Sequence, residues 1–131
     1  MNTPTLWLTQ FLRRRDLQQP DSRKLYGYRL RQQEYEDLRN HLRLWVGGDA
    51  LDGGGHLAPG TTELFVLYGA AWWEREYAGG AWKWDEVIKS FGGEPEAWPA
   101  QFRSQCIRVG LQFWKQRLGT SGKIFFGVLV F

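Results

Sequence analysis

Hydrophobic residues recur at intervals of three and four along five stretches of this chain, which is the spacing of an amphipathic helix. The first stretch starts at Thr3-Pro4, a typical threonine cap followed by a proline at the first helical position. A glycine follows each of the other four stretches, as is common at helix ends. The pattern therefore predicts helices at about residues 3–15, 32–46, 61–78, 84–91 and 100–118.

The third and fifth predicted helices are the most apolar. From Leu64 to Trp73 the side chains are apolar on every side, so we expect other helices to surround this segment, which Thr61 or Thr62 caps. The fifth helix carries two apolar stripes, one of which includes Val109. Only a narrow strip is left for solvent, formed by Gln105, Arg108, Gln112 and Lys115. These two helices are predicted to form the centre of the fold.

Two short segments have β character instead. Tyr26 to Leu30 alternates as a strand does, and Ile124 to Val130 is rich in β-branched and aromatic residues. We predict that they pair with each other. The fold class is thus mainly α, a single domain over residues 1–131 with about five helices and a small two-stranded β element. Because a bare terminal strand invites aggregation, we expect the chain to be the N-terminal fragment of a longer protein.

Tryptophan is concentrated in the middle of the chain, where four of the eight tryptophans lie within positions 72–84. Buried aromatic side chains remove large areas from water, which favours a role in the core. A stacking platform for a base or a peptide is the alternative. The candidates for either role are Trp72, Trp73, Trp82, Trp84 and Trp114. Arg75 is expected to stack on an aromatic ring or to pair with an acid.

Charge is segregated along the chain. Residues 1–44 carry nine Lys/Arg against five acids, residues 45–99 carry three against nine, and residues 100–131 carry five against none. The two ends are therefore basic and the middle is acidic. The basic ends are either solvated surface, or contacts to nucleic-acid phosphates, or contacts to a partner protein. The candidate contact residues are Arg13, Arg14, Arg15, Arg108 and Lys115.

No motif in the sequence points to catalysis, a metal or a cofactor. The segment from Gly55 to Thr62 has the glycine spacing of a phosphate-binding loop but lacks its lysine. His41 and His56 have no partners at metal-ligand spacing. Cys106 is the one cysteine and lies on an apolar stripe, which raises a thiol pKa and is compatible with a reducing cytoplasm. The longest uncharged apolar run is too short to span a membrane.

Several segments together resemble a known bacterial family. They are Tyr26 to Leu30 before a helix with Tyr35, Glu63 to Arg75, Gly79 to Trp84, Gly110 to Lys115, and Lys123 to Gly127. In this order they are similar to the start of the large YjiT-like or DruH-like protein of Druantia-type anti-phage defence systems, which is found beside a helicase. The resemblance implies a longer protein and carries over no active-site residue.

The expected function is accordingly a non-catalytic, cytoplasmic N-terminal interaction module of an antiviral defence protein. The resemblance implies that it docks on the remainder of its own chain, on a helicase partner or on DNA. Two alternatives stay open. One is a stand-alone module that binds DNA or RNA nonspecifically through a basic surface, and the other is a small enzyme.

Overall fold

The computed structural model describes residues 3–14, 30–46, 59–76, 84–98 and 100–118. Within these ranges the chain is helical and contains no strand. The elements are α1 (Pro4–Arg14), α2 (Gln32–Trp45), α3 (Thr61–Glu76), α4 (Trp84–Ser90), a 3₁₀ turn (Pro95–Ala97) and α5 (Ala100–Leu118). The predicted mainly helical fold with five helices is confirmed. Among the described residues, no helix is long and apolar enough to cross a membrane.

Helix α3 is the centre of the fold, because α1, α2, α4 and α5 all contact it. Its residues from Leu64 to Ala71 are all buried, so this part of the helix is covered on every side. This agrees with the absence of a polar face in its sequence. The prediction that α5 is equally central is only partly right. α5 packs against α3 on one side, and Val109 on its other side is 43% exposed.

The contacts between helices fix their directions. Trp7 meets Asp37 and Arg14 meets Glu34, so α1 and α2 run in opposite directions. Tyr35 stacks on Tyr68 in the middle of α3. Arg75 in the last turn of α3 reaches the carbonyl of Leu30, just before α2. Helices α2 and α3 therefore also run in opposite directions, and the end of α1, the start of α2 and the end of α3 share one end of the fold.

Three predicted helix-end signals fall within the described residues, and two of them are confirmed. The Thr3 hydroxyl accepts the N–H of Leu6 at 3.1 Å, as the predicted cap of α1. At the end of α4, Gly92 has φ +88°, and Gly93 donates to the carbonyl of Ile88, so a left-handed turn closes the helix as predicted. The predicted cap of α3 is wrong. Thr61 is already helical, and its buried hydroxyl has no hydrogen-bond partner among the described residues.

The predicted β pair falls almost entirely outside the described residues. Of the first strand only Leu30 is described, and it is buried and lies in no strand. The rest of that strand and the whole of Ile124 to Val130 lie outside the described ranges. The described part of the fold gives the two-stranded element no support.

Candidate functional site

A groove lies between α1 and α2 at the end of the fold where α3 also ends. Its volume is about 400 Å³. We call it the α1–α2 groove and define it by its lining residues, which are Trp7, Arg14, Arg31, Gln33, Glu34 and Asp37. Of these residues only Arg14 is among the predicted contacts, and the groove adds a second cation, Arg31, and one aromatic ring, that of Trp7.

Trp7 and Asp37 join the two walls of the groove. The indole N–H of Trp7 donates to Oδ2 of Asp37 at 2.8 Å. Trp7 is only 4% exposed, and its ring stacks on Phe11 with centroids 5.7 Å apart. The indole is therefore held by its neighbours on α1 and α2 and presents only a small edge to the groove. The bond satisfies an N–H that would otherwise be costly to bury.

Arg14, Arg31 and Glu34 form the charged rim. Nη2 of Arg14 lies 3.5 Å from Oε2 of Glu34, while Oε1 of Glu34 accepts the backbone N–H of Arg31 at 2.9 Å. The Glu34 side chain is 13% exposed and that of Arg14 is 56% exposed. The carboxylate is thus withdrawn into the structure, whereas the guanidinium groups face solvent. A separation of 3.5 Å is long for a charge-assisted hydrogen bond, so Arg14 is only weakly held.

Arg75 extends the positive charge beside the groove. Its guanidinium donates to the carbonyl of Leu30 and lies 5.0 Å from the ring centroid of Tyr35. The sequence-based expectation that Arg75 stacks on an aromatic ring is confirmed. Arg39 lies over the same ring at 5.4 Å. Leu30 directly precedes Arg31, so Arg75 also lies near Arg31. Four arginines therefore gather at this end of the fold, namely Arg14, Arg31, Arg39 and Arg75.

A family model described as the YjiT N-terminal domain matches residues 2–131. The chain belongs to this family. It is also 35% identical over 89 residues to a protein of Escherichia coli strain K12 described as Protein YjiT. The matched part is 67% of this chain and 16% of that relative, so the chain corresponds to a small part of the relative's length. No solved structure matches the chain.

In this YjiT N-terminal domain the predicted basic contacts do not form one face. Arg13 and Arg14 are exposed at the end of α1, and Arg15 lies outside the described residues. Arg108 and Lys115 are exposed on α5. Trp114, next to Lys115, donates its indole N–H to the carbonyl of Glu63 in the first turn of α3. Lys115 is therefore near the opposite end of α3 from Arg14, and a helix of 16 residues is about 24 Å long.

The predicted tryptophans occupy different environments. Trp114 is fully buried, whereas Trp72, Trp73 and Trp84 are half-buried. Trp84 packs on Phe65 with ring centroids 4.9 Å apart. Trp82 lies outside the described residues. No exposed aromatic platform is formed by the tryptophans that the structure describes.

The remaining candidate groups have structural surroundings. Nδ1 of His41 lies 2.8 Å from the carbonyl of Asp37, one turn before it on α2. Cys106 is buried, and burial raises the pKa of its thiol from 9.0 to about 11. Across the described ranges, no three His, Cys, Asp or Glu side chains come close enough together to hold a metal ion.

Sequence reasoning missed most of the α1–α2 groove. Among the lining residues only Arg14 is a predicted contact residue, and the sequence analysis singles out neither Trp7 nor the polar residues of α2 and its start. One signal was present. Glu34 and Asp37 are three residues apart and therefore share a face of α2. That this face meets Trp7 and Arg14 depends on how α1 packs, which periodicity does not reveal.

Proposed function

We propose that this domain is a non-catalytic N-terminal interaction module of a bacterial anti-phage defence protein. It docks through the α1–α2 groove on the remainder of a longer chain. Membership of the YjiT N-terminal domain family supports the place of the module in a larger protein, since the matched part is 16% of the E. coli relative. The anti-phage role rests on the resemblance to the large protein of Druantia-type systems. That system supplies a helicase as a second protein on which the module would dock.

The groove itself carries the docking proposal. It is open, has a volume of about 400 Å³ and is built from the side chains of two different helices. Its aromatic floor is fixed by the bond from Trp7 to Asp37, so a partner meets a preformed surface. The half-exposed Arg14 supplies charge that is only weakly satisfied within the domain.

The chemistry around the groove favours binding over catalysis. Its two carboxylates hold the fold together, because Glu34 accepts a backbone N–H and Asp37 accepts the indole of Trp7. Cys106 lies on α5 and does not line the groove, and burial raises the pKa of its thiol, which is opposite to what a cysteine nucleophile needs.

Hydrogen exchange tests the docking. Amides of α1 (Pro4–Arg14) and of the first turns of α2 should exchange more slowly in the complete gene product than in the isolated 131-residue chain. The outer face of α5 provides the internal control and should exchange equally in both. Equal exchange of α1 and α2 in the two samples would rule out docking of this groove on the remainder of the protein.

A plaque assay tests the biological role separately. Bacteria that carry the complete gene and its helicase neighbour should resist phage infection, and deletion of residues 1–131 should remove that resistance. If the intact genes give no resistance, or if the deletion leaves it unchanged, the anti-phage role of this module is wrong whatever the groove binds.

A nucleic-acid module is the second candidate, favoured by the exposed Arg13 and Arg14. Binding would then be electrostatic and would fall by about one log unit per log unit of salt for each phosphate contacted. Arg13, Arg14 and Arg15 changed together to glutamate would abolish it without unfolding the domain. Failure of the isolated chain to retain labelled DNA or RNA at about 50 mM salt would eliminate this candidate.

A further inference from the structure

We infer that the α1–α2 groove recognises an acidic peptide segment, in which carboxylates alternate with apolar or hydrogen-bonding residues. The inference rests on the proposed docking function and specifies the chemistry of the partner. It follows from which groups in the groove are available to a ligand and which are already engaged.

The charge that is available on the rim of the groove is positive. The side chain of Arg14 is 56% exposed, and Arg31, on the same rim, is also exposed. Glu34 between them is only 13% exposed and already accepts an N–H, so little of its negative charge reaches a ligand. Two guanidinium groups on one rim offer the planar donors that match carboxylates.

The groove also holds a negative group that a uniformly charged ligand would have to approach. The side chain of Asp37 is 52% exposed on the same groove, where its Oδ2 accepts the indole N–H of Trp7 and its Oδ1 lies 3.4 Å from Nδ1 of His41. A nucleic-acid strand carries one negative charge per nucleotide and would place a phosphate near this carboxylate. A peptide can instead place a carboxylate at Arg14 and Arg31 and a backbone N–H or hydroxyl at Asp37 and Gln33.

The aromatic floor points the same way. Single-stranded nucleic acid is bound by stacking its bases on exposed aromatic rings. Trp7 is 4% exposed and is stacked on Phe11, so its ring face is not accessible to a base. The edge that reaches the groove suits an aliphatic side chain. Moreover, Arg108 and Lys115 lie on α5 and do not continue the rim into a track for a phosphate backbone.

The test is selection from a library of displayed random peptides about 12 residues long, which span the groove when extended. The bait is the 131-residue chain, alongside R14Q/R31Q and the matched control R108Q/K115Q. We expect enriched peptides to be richer in Asp and Glu than the input library. Their affinity should fall about tenfold or more for R14Q/R31Q and stay within about twofold for the control. Circular dichroism establishes that all three baits fold alike.

Three results would overturn the inference. The selection could enrich no peptide, or the enriched peptides could be no richer in Asp and Glu than the input library. The enriched peptides could also bind R14Q/R31Q as tightly as they bind the wild type. A labelled single-stranded DNA that binds the wild type and not R14Q/R31Q would identify nucleic acid as the ligand instead. If selection fails while α1 and α2 are protected from exchange in the complete protein, docking holds and only the acidic chemistry is wrong.

Discussion

The ring of Tyr35 lies parallel to the ring of Tyr68, with 6° between their planes and 5.2 Å between their centroids. The stack joins α2 to α3, and Arg75 lies over its Tyr35 side. The two hydroxyls differ in their partners. The hydroxyl oxygen of Tyr68 lies 2.6 Å from Oγ of Ser90. Because the Ser90 hydroxyl donates its own hydrogen to the carbonyl of Val87, the Tyr68 hydroxyl is the donor to Ser90. The Tyr35 hydroxyl is buried without a hydrogen bond within the described residues, and burial raises its pKa.

These two hydroxyls should therefore respond differently to removal. Tyr35→Phe should change the free energy of unfolding by less than about 0.5 kcal/mol or increase it, because it removes an unpaired buried polar group. Tyr68→Phe should lower it by about 0.5–1.5 kcal/mol, because it leaves Ser90 without its donor. Urea denaturation of both variants measures the difference. A larger loss for Tyr35→Phe would mean that its hydroxyl has a partner outside the described ranges.

At Gly110 the backbone of α5 lies close to α3. A Cβ at this position would lie 2.5 Å from the carbonyl oxygen of Thr62 and from Cγ2 of Val66. Gly110→Ala should therefore destabilise the protein by about 1–3 kcal/mol through overpacking, although alanine favours a helix by about 1 kcal/mol. Ser104→Ala, at an exposed site on the same helix, is the control and should be neutral. Equal thermal stability of Gly110→Ala and wild type would contradict this packing.

The tryptophans should contribute to stability according to their burial. Trp114 is fully buried, and its indole N–H donates to the carbonyl of Glu63, so Trp114→Ala should lower the free energy of unfolding by about 3–5 kcal/mol. Replacement of the half-buried Trp72 or Trp73 by alanine should lower the free energy of unfolding by only about 1–2 kcal/mol. Chemical denaturation gives the three values. If Trp72→Ala or Trp73→Ala folds normally but loses partner binding, that residue belongs to a recognition surface.

Cys106 should make stability depend on pH in the alkaline range. Burial raises the pKa of this thiol from its ordinary value of 9.0 to about 11, so above about pH 9 the thiol of the unfolded chain loses its proton first. The contribution of this thiol to the free energy of unfolding should therefore be constant below about pH 9 and fall by about 2 kcal/mol as the pH rises to about 11. Cys106→Ala should lack this part of the decline. Parallel pH profiles for the variant and the wild type would show that the thiol is not shielded from water.

The helices themselves were predictable because their signals are local. The threonine cap of α1 and the glycine turn after α4 act within a few residues, and hydrophobic spacing selects the buried face of each helix. The absence of a polar face on α3 was enough to place it among the other helices. These features need no knowledge of what lies far along the chain. The pairing of Tyr26–Leu30 with Ile124–Val130, which does need it, stays a prediction.

The α1–α2 groove was decided only by tertiary structure. Trp7 and Asp37 are far apart in sequence, and their bond exists because α1 and α2 run in opposite directions on the surface of α3. The same packing brings Arg14 to Arg31 and leaves Lys115 near the other end of α3. The sequence analysis placed Arg14 and Lys115 in the same set of candidate contacts because both lie in basic segments. The charge of a segment does not show how far apart its residues lie in the fold. Sequence determined which faces are buried, and packing determined which charges meet.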